Sequence, residues 1–130
     1  MKPTSLKMLI VDDDTFIAIM LKDFFKHKDY EIFTAANGEE AFAICLEKKP
    51  DFIITDIMLP EMSGIDLIKK LRSMDEFAVT PIIAFTAGTS AMRDDAKKAG
   101  AHMVLEKTIR RVDLQQKVDE LLAATPFIPR

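Results

Sequence analysis

The sequence predicts an α/β domain built on a parallel sheet with helices on both faces. Three observations carry that prediction. Short apolar runs alternate with amphipathic stretches five times between Lys7 and Leu122, and such alternation calls for parallel strands joined by right-handed crossovers. Such a sheet is covered by helices on both faces, which suits strands as apolar as Phe52-Ile53-Ile54. Two of them, Lys7 to Val11 and Phe52 to Ile54, drive into Asp12-Asp13-Asp14 and Asp56, and in an open α/β sheet the carboxyl edge of the strands is where ligands bind.

Lys7 to Val11 is the first strand, stopped by three consecutive carboxylates. Ile17, Met20, Leu21 and Phe24 then recur at i, i+3, i+4 and i+7, so a helix follows, capped near Asp14-Thr15. Phe16, Ile19 and Phe25 fall outside that stripe and read as wider core contact or as a partner surface. Tyr30 to Ala35 is the second strand. Asn37-Gly38 opens the second helix, which turns Ala41, Ile44 and Cys45 inward and closes at Lys48-Lys49-Pro50. The third strand covers residues 52 to 55, and Pro60 and Gly64 break the loop beyond Asp56. A helix from about Gly64 to Met74 follows, with Ile65, Ile68 and Leu71 inward. Pro81 to Phe85 is the fourth apolar run, ending at Thr86-Ala87-Gly88. Ala91 to Ala99 is a weakly amphipathic helix closed by Gly100, and its thin apolar face predicts loose packing and mobility. Met103 to Leu105 is the fifth strand, ending at Glu106-Lys107. Leu114, Val118, Leu121 and Leu122 mark the last helix, before a short tail containing Pro126 and Pro129.

The 130 residues fit a single domain, with a core over about 6–124 and a tail over 125–130, large enough to bury a core without disulfide or metal staples. Cys45 lies in a helical pattern and reads as a small buried apolar residue, which suits a reducing, cytoplasmic setting. Neither a signal peptide nor a run of about 18 apolar residues is visible, so a soluble protein with no membrane partner is expected. Eighteen basic against 21 acidic residues leave a net charge of −3. With no basic block, direct nucleic-acid binding is not expected.

If every strand is parallel, Asp12, Asp13, Asp14, Asp56, Thr86 and Lys107 gather at one sheet edge. Clustered carboxylates repel one another unless a cation neutralises them, and an all-oxygen set suits a hard divalent ion such as Mg²⁺. His27, between Lys26 and Lys28, and His102, which stands alone, form no transition-metal pair and read as structural or solvated. A carboxylate beside Mg²⁺ with a hydroxyl and a lysine in reach is a constellation for phosphoryl transfer, with aspartyl phosphate as the implied intermediate. A purely structural metal clip would leave Thr86 and Lys107 unexplained.

The set Val11-Asp12-Asp13, Asp56-Ile-Met-Leu-Pro-Glu-Met-Ser-Gly64, Thr86-Ala87, Gly100-Ala101 and Lys107 resembles the receiver domain of two-component response regulators, in order and at family spacing over nearly the whole chain. The resemblance implies a flavodoxin-like, doubly wound five-stranded sheet of order 2-1-3-4-5 and a signalling switch whose only catalysis is its own phosphorylation and slow dephosphorylation. It implies that Asp56 is the phosphoryl acceptor. Asp13, Asp56 and the backbone carbonyl of Met58 would hold Mg²⁺ directly, and Asp12 would reach it through water. Thr86 would turn its hydroxyl to the phosphoryl oxygen and Lys107 would pair with the same group. Asp14 occupies a variable position and takes no ligand role. The implied partners are a sensor histidine kinase or histidine phosphotransfer protein, docking through Phe16, Ile19 and the turn after Lys107, and a downstream protein target. The implied oligomeric state is a monomer or weak homodimer.

Two positions depart from that family. Thr108 stands where Pro is usual, often after a cis bond. A cis bond before a non-proline residue costs about 2.5–4 kcal/mol, so a trans Lys107–Thr108 bond is expected, with Lys107 set slightly away from Asp56. Val104 stands where an aromatic rotamer switch is common, which leaves the Ala91 to Ala99 helix as the moving part. Two alternatives compete. Ile10-Val11-Asp12-Asp13-Asp14 resembles the opening of haloacid-dehalogenase-type phosphohydrolases, with Asp12 as nucleophile, although Phe16 stands where that family prefers Thr. A pseudo-receiver binding module would keep the fold without accepting phosphate, although such domains usually lose an acidic or lysine position that this chain keeps.

Overall fold

The computed structural model describes residues 6–26 and 28–124, so His27, Pro126 and Pro129 lie outside it. Five strands alternate with five helices: β1 (Leu6–Val11), α1 (Thr15–Phe25), β2 (Tyr30–Ala35), α2 (Gly38–Lys48), β3 (Phe52–Thr55), α3 (Gly64–Arg72), β4 (Ile82–Thr86), α4 (Ser90–Ala99), β5 (Met103–Glu106) and α5 (Arg111–Ala123). The strands pair in parallel in the order β2-β1-β3-β4-β5, as the resemblance implies.

Successive side chains of a strand point to opposite faces, and β1 divides its residues accordingly. Met8 and Ile10 pack with Leu21 and Phe25 of α1 and with Leu114, Val118 and Leu122 of α5. Leu9 and Val11 pack with Ala41 and Cys45 of α2, Leu67, Ile68 and Leu71 of α3, and Ala96 of α4. The sheet is thus covered on both sides, and its central strands β3 and β4 are buried at every position, whereas the edge strand β2 exposes Glu31 and Thr34. Cys45 is buried, and burial pushes its thiol up to about 12. Among the described residues no helix is long and apolar enough to cross a membrane.

The inward faces are wider than the predicted stripes. Of the residues outside the stripe, Phe25 is wider core contact; it stands one turn after Leu21 and packs on the Tyr30 ring at 6.1 Å between centroids. Leu67 joins the core one turn before Leu71. Phe16 and Ile19 remain 73% and 62% exposed.

Helix α3 stops at Arg72, two residues before the predicted end, and a 3-10 turn at Asp75–Phe77 inserts Phe77 into the core. Arg72 explains the stop. Its guanidinium donates to Gly100 O (2.9 and 3.0 Å) and Phe77 O (2.8 Å) and meets His102 Nδ1 at 3.0 Å. His102 therefore does not stand alone; Nδ1 also accepts from the Ile82 amide at 3.3 Å, which puts the ring proton on Nε2. Gly100 adopts φ 122°, and a Cβ there would meet Arg72 Cγ at 2.7 Å. In α4 only Ala96 is fully buried, with Met92 and Ala99 packed against the core edge, the thin anchorage that its composition predicts.

Candidate functional site

Each predicted site residue is delivered by backbone hydrogen bonds that continue the sheet past its strands. The Asp12 amide donates to Ala35 O (3.0 Å), the Asp56 amide to Val11 O (2.8 Å) and the Lys107 amide to Thr86 O (3.1 Å). Asp12 and Asp56 leave adjacent strands, which lie about 4.8 Å apart, so their side chains meet directly. Lys107 leaves β5, two strands from β3, and its four-carbon stem covers the difference.

The ammonium of Lys107 lies 2.8 Å from Asp56 Oδ2 and 2.9 Å from Asp12 Oδ2. Asp56 is 5% exposed, and its Oδ1 accepts the Met58 amide at 3.1 Å. Asp12 Oδ1 accepts the Asp14 amide at 2.9 Å. Asp12 Oδ2 is buried and meets the ammonium as an ion contact, without a directed hydrogen bond. Asp13 is exposed at the mouth, and one oxygen from each of Asp12, Asp13 and Asp56 lies within 4.8 Å of the others. Burial pushes the Asp12 carboxyl above its ordinary range, outweighing the lowering by Lys107 and the Asp14 amide. Burial alone would lower the Lys107 ammonium, but its pairing with the Asp56 and Asp12 carboxylates outweighs it and holds the group protonated above the usual lysine range. Three carboxylates thus face one ammonium. The excess negative charge, the all-oxygen donors and the buried oxygen that lacks a directed donor fit a hard divalent cation.

Thr86 is fully buried, and its Oγ1 accepts the Gly88 amide at 3.0 Å. No hydrogen bond joins it to the side chain of Asp56 or Lys107 among the described residues, so its hydroxyl proton is free to turn to an incoming group. The Met58 side chain is 57% exposed at the rim. Asp14 caps α1 by accepting from the Phe16 (2.9 Å) and Ile17 (3.3 Å) amides.

The Lys107–Thr108 bond is trans, as expected; no peptide among the described residues is cis. The displacement expected to follow does not occur, since Lys107 reaches Asp56 at 2.8 Å. The rotatable lysine stem absorbs the change in the turn.

Sequence reasoning missed three contributors. Gly64 belongs to the motif that follows Asp56, but the sequence signals no contact between it and the acceptor backbone. A Cβ there would stand 2.0 Å from Asp56 O and 2.8 Å from Ile57 Cα, and the Gly64 amide donates to Ile57 O at 2.8 Å. The turn after β3 therefore folds back onto the backbone of Asp56 itself, and only glycine permits that approach. The other two are Arg93 and Glu106, whose side chains pair at 2.6 Å above an opening of about 220 Å³ lined by Ala87, Gly88, Arg93, Glu106, Lys107 and Thr108. Thirteen residues separate that pair, and no local pattern signals it.

Comparison with known proteins adds three kinds of similarity. The response regulator receiver domain family matches residues 8–119. The chemotaxis protein CheY of Thermotoga maritima is 44% identical over 96 residues, covering 73% of this chain and 79% of that protein. The transcriptional regulatory protein SrrA of Staphylococcus aureus is 37% identical over 92% of this chain, which spans 48% of SrrA's length. Among solved structures, the chemotaxis response regulator CheY4 of Vibrio cholerae superposes with a TM-score of 0.84 at 32% identity, covering 91% of this chain and 99% of that one.

Proposed function

We infer, from the premise that this chain belongs to the response regulator receiver domain family and so has a phosphoacceptor signalling function, that Asp56 is its acceptor and a phosphohistidine its donor. The observation that carries the assignment is the placement of the Asp56 carboxylate, 2.8 Å from the Lys107 ammonium and within 4.8 Å of Asp12 and Asp13. In the transfer an Asp56 oxygen attacks phosphorus and forms a P–O bond. The P–N bond to the donor imidazole breaks, and its electron pair stays on the ring nitrogen, which then takes a proton from solvent.

Asp13, Asp56 and the Met58 carbonyl would hold Mg²⁺, with Asp12 reaching it through water. When bound, the metal offsets charge on the transferring oxygens and on the carboxylates. Lys107 supplies a second cation at the acceptor, already charged and already in place. Thr86 turns its free hydroxyl proton to a phosphoryl oxygen once that oxygen arrives. Phe16 and Ile19, exposed one to two turns from Asp13, form the apolar rim on which a histidine kinase or histidine phosphotransfer protein docks, together with the turn after Lys107. The phosphorylated form then addresses a downstream protein. The same reading carries a cytoplasmic location and a monomer or weak homodimer.

The rival nucleophile, Asp12, has surroundings like those of Asp56, each with one oxygen on a backbone amide and the other against Lys107; membership of the receiver family, matched over residues 8–119, is what favours Asp56. The test is incubation with acetyl phosphate and Mg²⁺ followed by intact and peptide mass analysis. One phosphoryl group on Asp56, absent from Asp56→Asn and absent when the metal is chelated, is the expected result. Label on Asp12, or undiminished label on Asp56→Asn, overturns the assignment.

A further inference from the structure

Resting on that reading of the site, we infer that the Arg93–Glu106 ion pair is a latch that holds α4 in its unphosphorylated position and opens on phosphorylation, in place of an aromatic switch. Little else holds the start of α4. Ala96 is the one fully buried residue of the helix, and Met92 is half-buried. Arg93, in the first turn, is the main polar tie of that turn to the sheet. Its Nη1 donates to Glu106 Oε1 at 2.6 Å, and its Nη2 donates to Ser90 Oγ at 3.1 Å, which orients the guanidinium.

Glu106 is well placed to report on the site. It pairs in register with Thr86 across β4 and β5, and it immediately precedes Lys107, whose amide is bonded to Thr86 O. The glutamate that receives the latch therefore adjoins Lys107 in the chain and lies beside Thr86 across the sheet. The opening of about 220 Å³ between Arg93, Glu106, Lys107 and the Ala87–Gly88 turn gives that turn room to move. A Cβ on Gly88 would meet Met92 Sδ at 3.1 Å and Thr86 Oγ1 at 3.3 Å, so the turn, the start of α4 and the Thr86 hydroxyl are in mutual contact.

Phosphorylation converts the singly charged Asp56 carboxylate into an acyl phosphate dianion, which adds about one negative charge and carries it outward onto the phosphoryl oxygens. They draw Lys107 and the Thr86 hydroxyl inward, disturb the Gly88 amide bond on Thr86 Oγ1, and oppose the Glu106 carboxylate next to Lys107 while attracting the Arg93 guanidinium. Each effect weakens the same ion pair. Val104, half-buried on β5, has no ring to rotate and contributes no competing motion. Arg93 and Glu106 side chains are 31% and 58% exposed, so the latch is a weak one, shifting an equilibrium by about two- to five-fold.

Coupling of this kind is reciprocal. If the latch favours the unphosphorylated position, breaking it must favour the other state and tighten binding of a phosphoryl mimic. The experiment is hydrogen exchange over residues 88–99 and beryllofluoride affinity with Mg²⁺, for the wild type, Glu106→Gln, Arg93→Gln and the exchange Arg93→Glu with Glu106→Arg. The expected result is faster exchange in α4 of both unliganded single variants, a smaller change on adding beryllofluoride, and affinity raised about two- to five-fold. The exchanged pair should restore wild-type behaviour at least in part. Lys49→Gln, which removes the exposed Lys49–Glu76 pair (2.8 Å) elsewhere, should do none of this. Wild-type α4 exchange and affinity in both single variants overturn the latch while leaving Asp56 phosphorylation intact. Failure of the wild type to take up acetyl phosphate or beryllofluoride at all overturns the functional reading instead.

Discussion

Lys107 Nζ stands between two buried carboxylates, 2.8 Å from Asp56 and 2.9 Å from Asp12, and one of those carboxylates is held there at a cost. Burial raises the Asp12 carboxyl despite the lysine, so the folded protein binds that proton more tightly than the unfolded chain does. Stability therefore falls as pH rises from the ordinary carboxylate value through the raised folded value, and the whole penalty is present above that folded value. Asp12→Asn should raise the thermal midpoint by a few degrees at pH 7 and by progressively less toward pH 4, while slowing phosphorylation by acetyl phosphate at least ten-fold. Scanning calorimetry at several pH values checks the first part; a variant no more stable than wild type at pH 7 contradicts it.

The approach of Gly64 to the acceptor backbone predicts a large effect from one methyl group. Gly64→Ala places a carbon where Asp56 O now stands, and relief requires the whole turn after β3 to shift. A loss of about 2–3 kcal/mol is expected, with acceptor labelling impaired beyond the unfolded fraction. Urea denaturation alongside acetyl phosphate labelling measures both, and a substitution tolerated within about 0.5 kcal/mol would mean that this turn is not what positions Asp56.

The exposed rim separates protein donors from small ones. Ile19→Asp replaces a side chain that is 62% exposed, so the fold should be nearly unaffected. Transfer from a cognate histidine kinase or phosphotransfer protein should slow at least ten-fold, and labelling by acetyl phosphate should remain within two-fold. Equal loss with both donors would indicate that Ile19 supports the fold and does not form a docking surface.

His102 supplies a pH dependence of its own. Burial lowers its affinity for a proton, and the charges of Arg72 and Lys97 lower it further, while Nδ1 meets the Arg72 guanidinium and accepts from the Ile82 amide. The unfolded chain thus protonates this ring at a higher pH than the folded protein. Stability is complete above about pH 6.5 and declines as pH falls through the window down to the depressed folded value. His102→Asn keeps an acceptor without a titrating ring, so its thermal midpoint should fall less than that of wild type between pH 7 and pH 5. Parallel slopes for the two proteins would rule the contribution out.

Much of this protein was legible from the chain alone, because both strand and helix periodicity are local. The five apolar runs announced buried parallel strands, and the residues that end them, Asp12, Asp56, Thr86 and Lys107, announced a shared edge. Asn37 caps α2 through its own side chain. Asp14 caps α1 in the same way, and both of these are short-range effects. The stripes missed Phe25 and Leu67 because a helix wedged between a sheet and a neighbouring helix buries more than the minimal i, i+3, i+4 face.

What only the tertiary structure decided lies across elements. Whether a trans bond before Thr108 would pull Lys107 off Asp56 depended on the reach of a flexible stem across two strands, and no sequence rule measures that. Gly64 matters because Asp56 O occupies the space its Cβ would take, and Arg93 matters because β5 brings Glu106 beneath the first turn of α4. A sequence records which residues end the strands. The distances among them come from the pairing and packing of segments that are far apart in the chain, and the chemistry of the site depends on those distances.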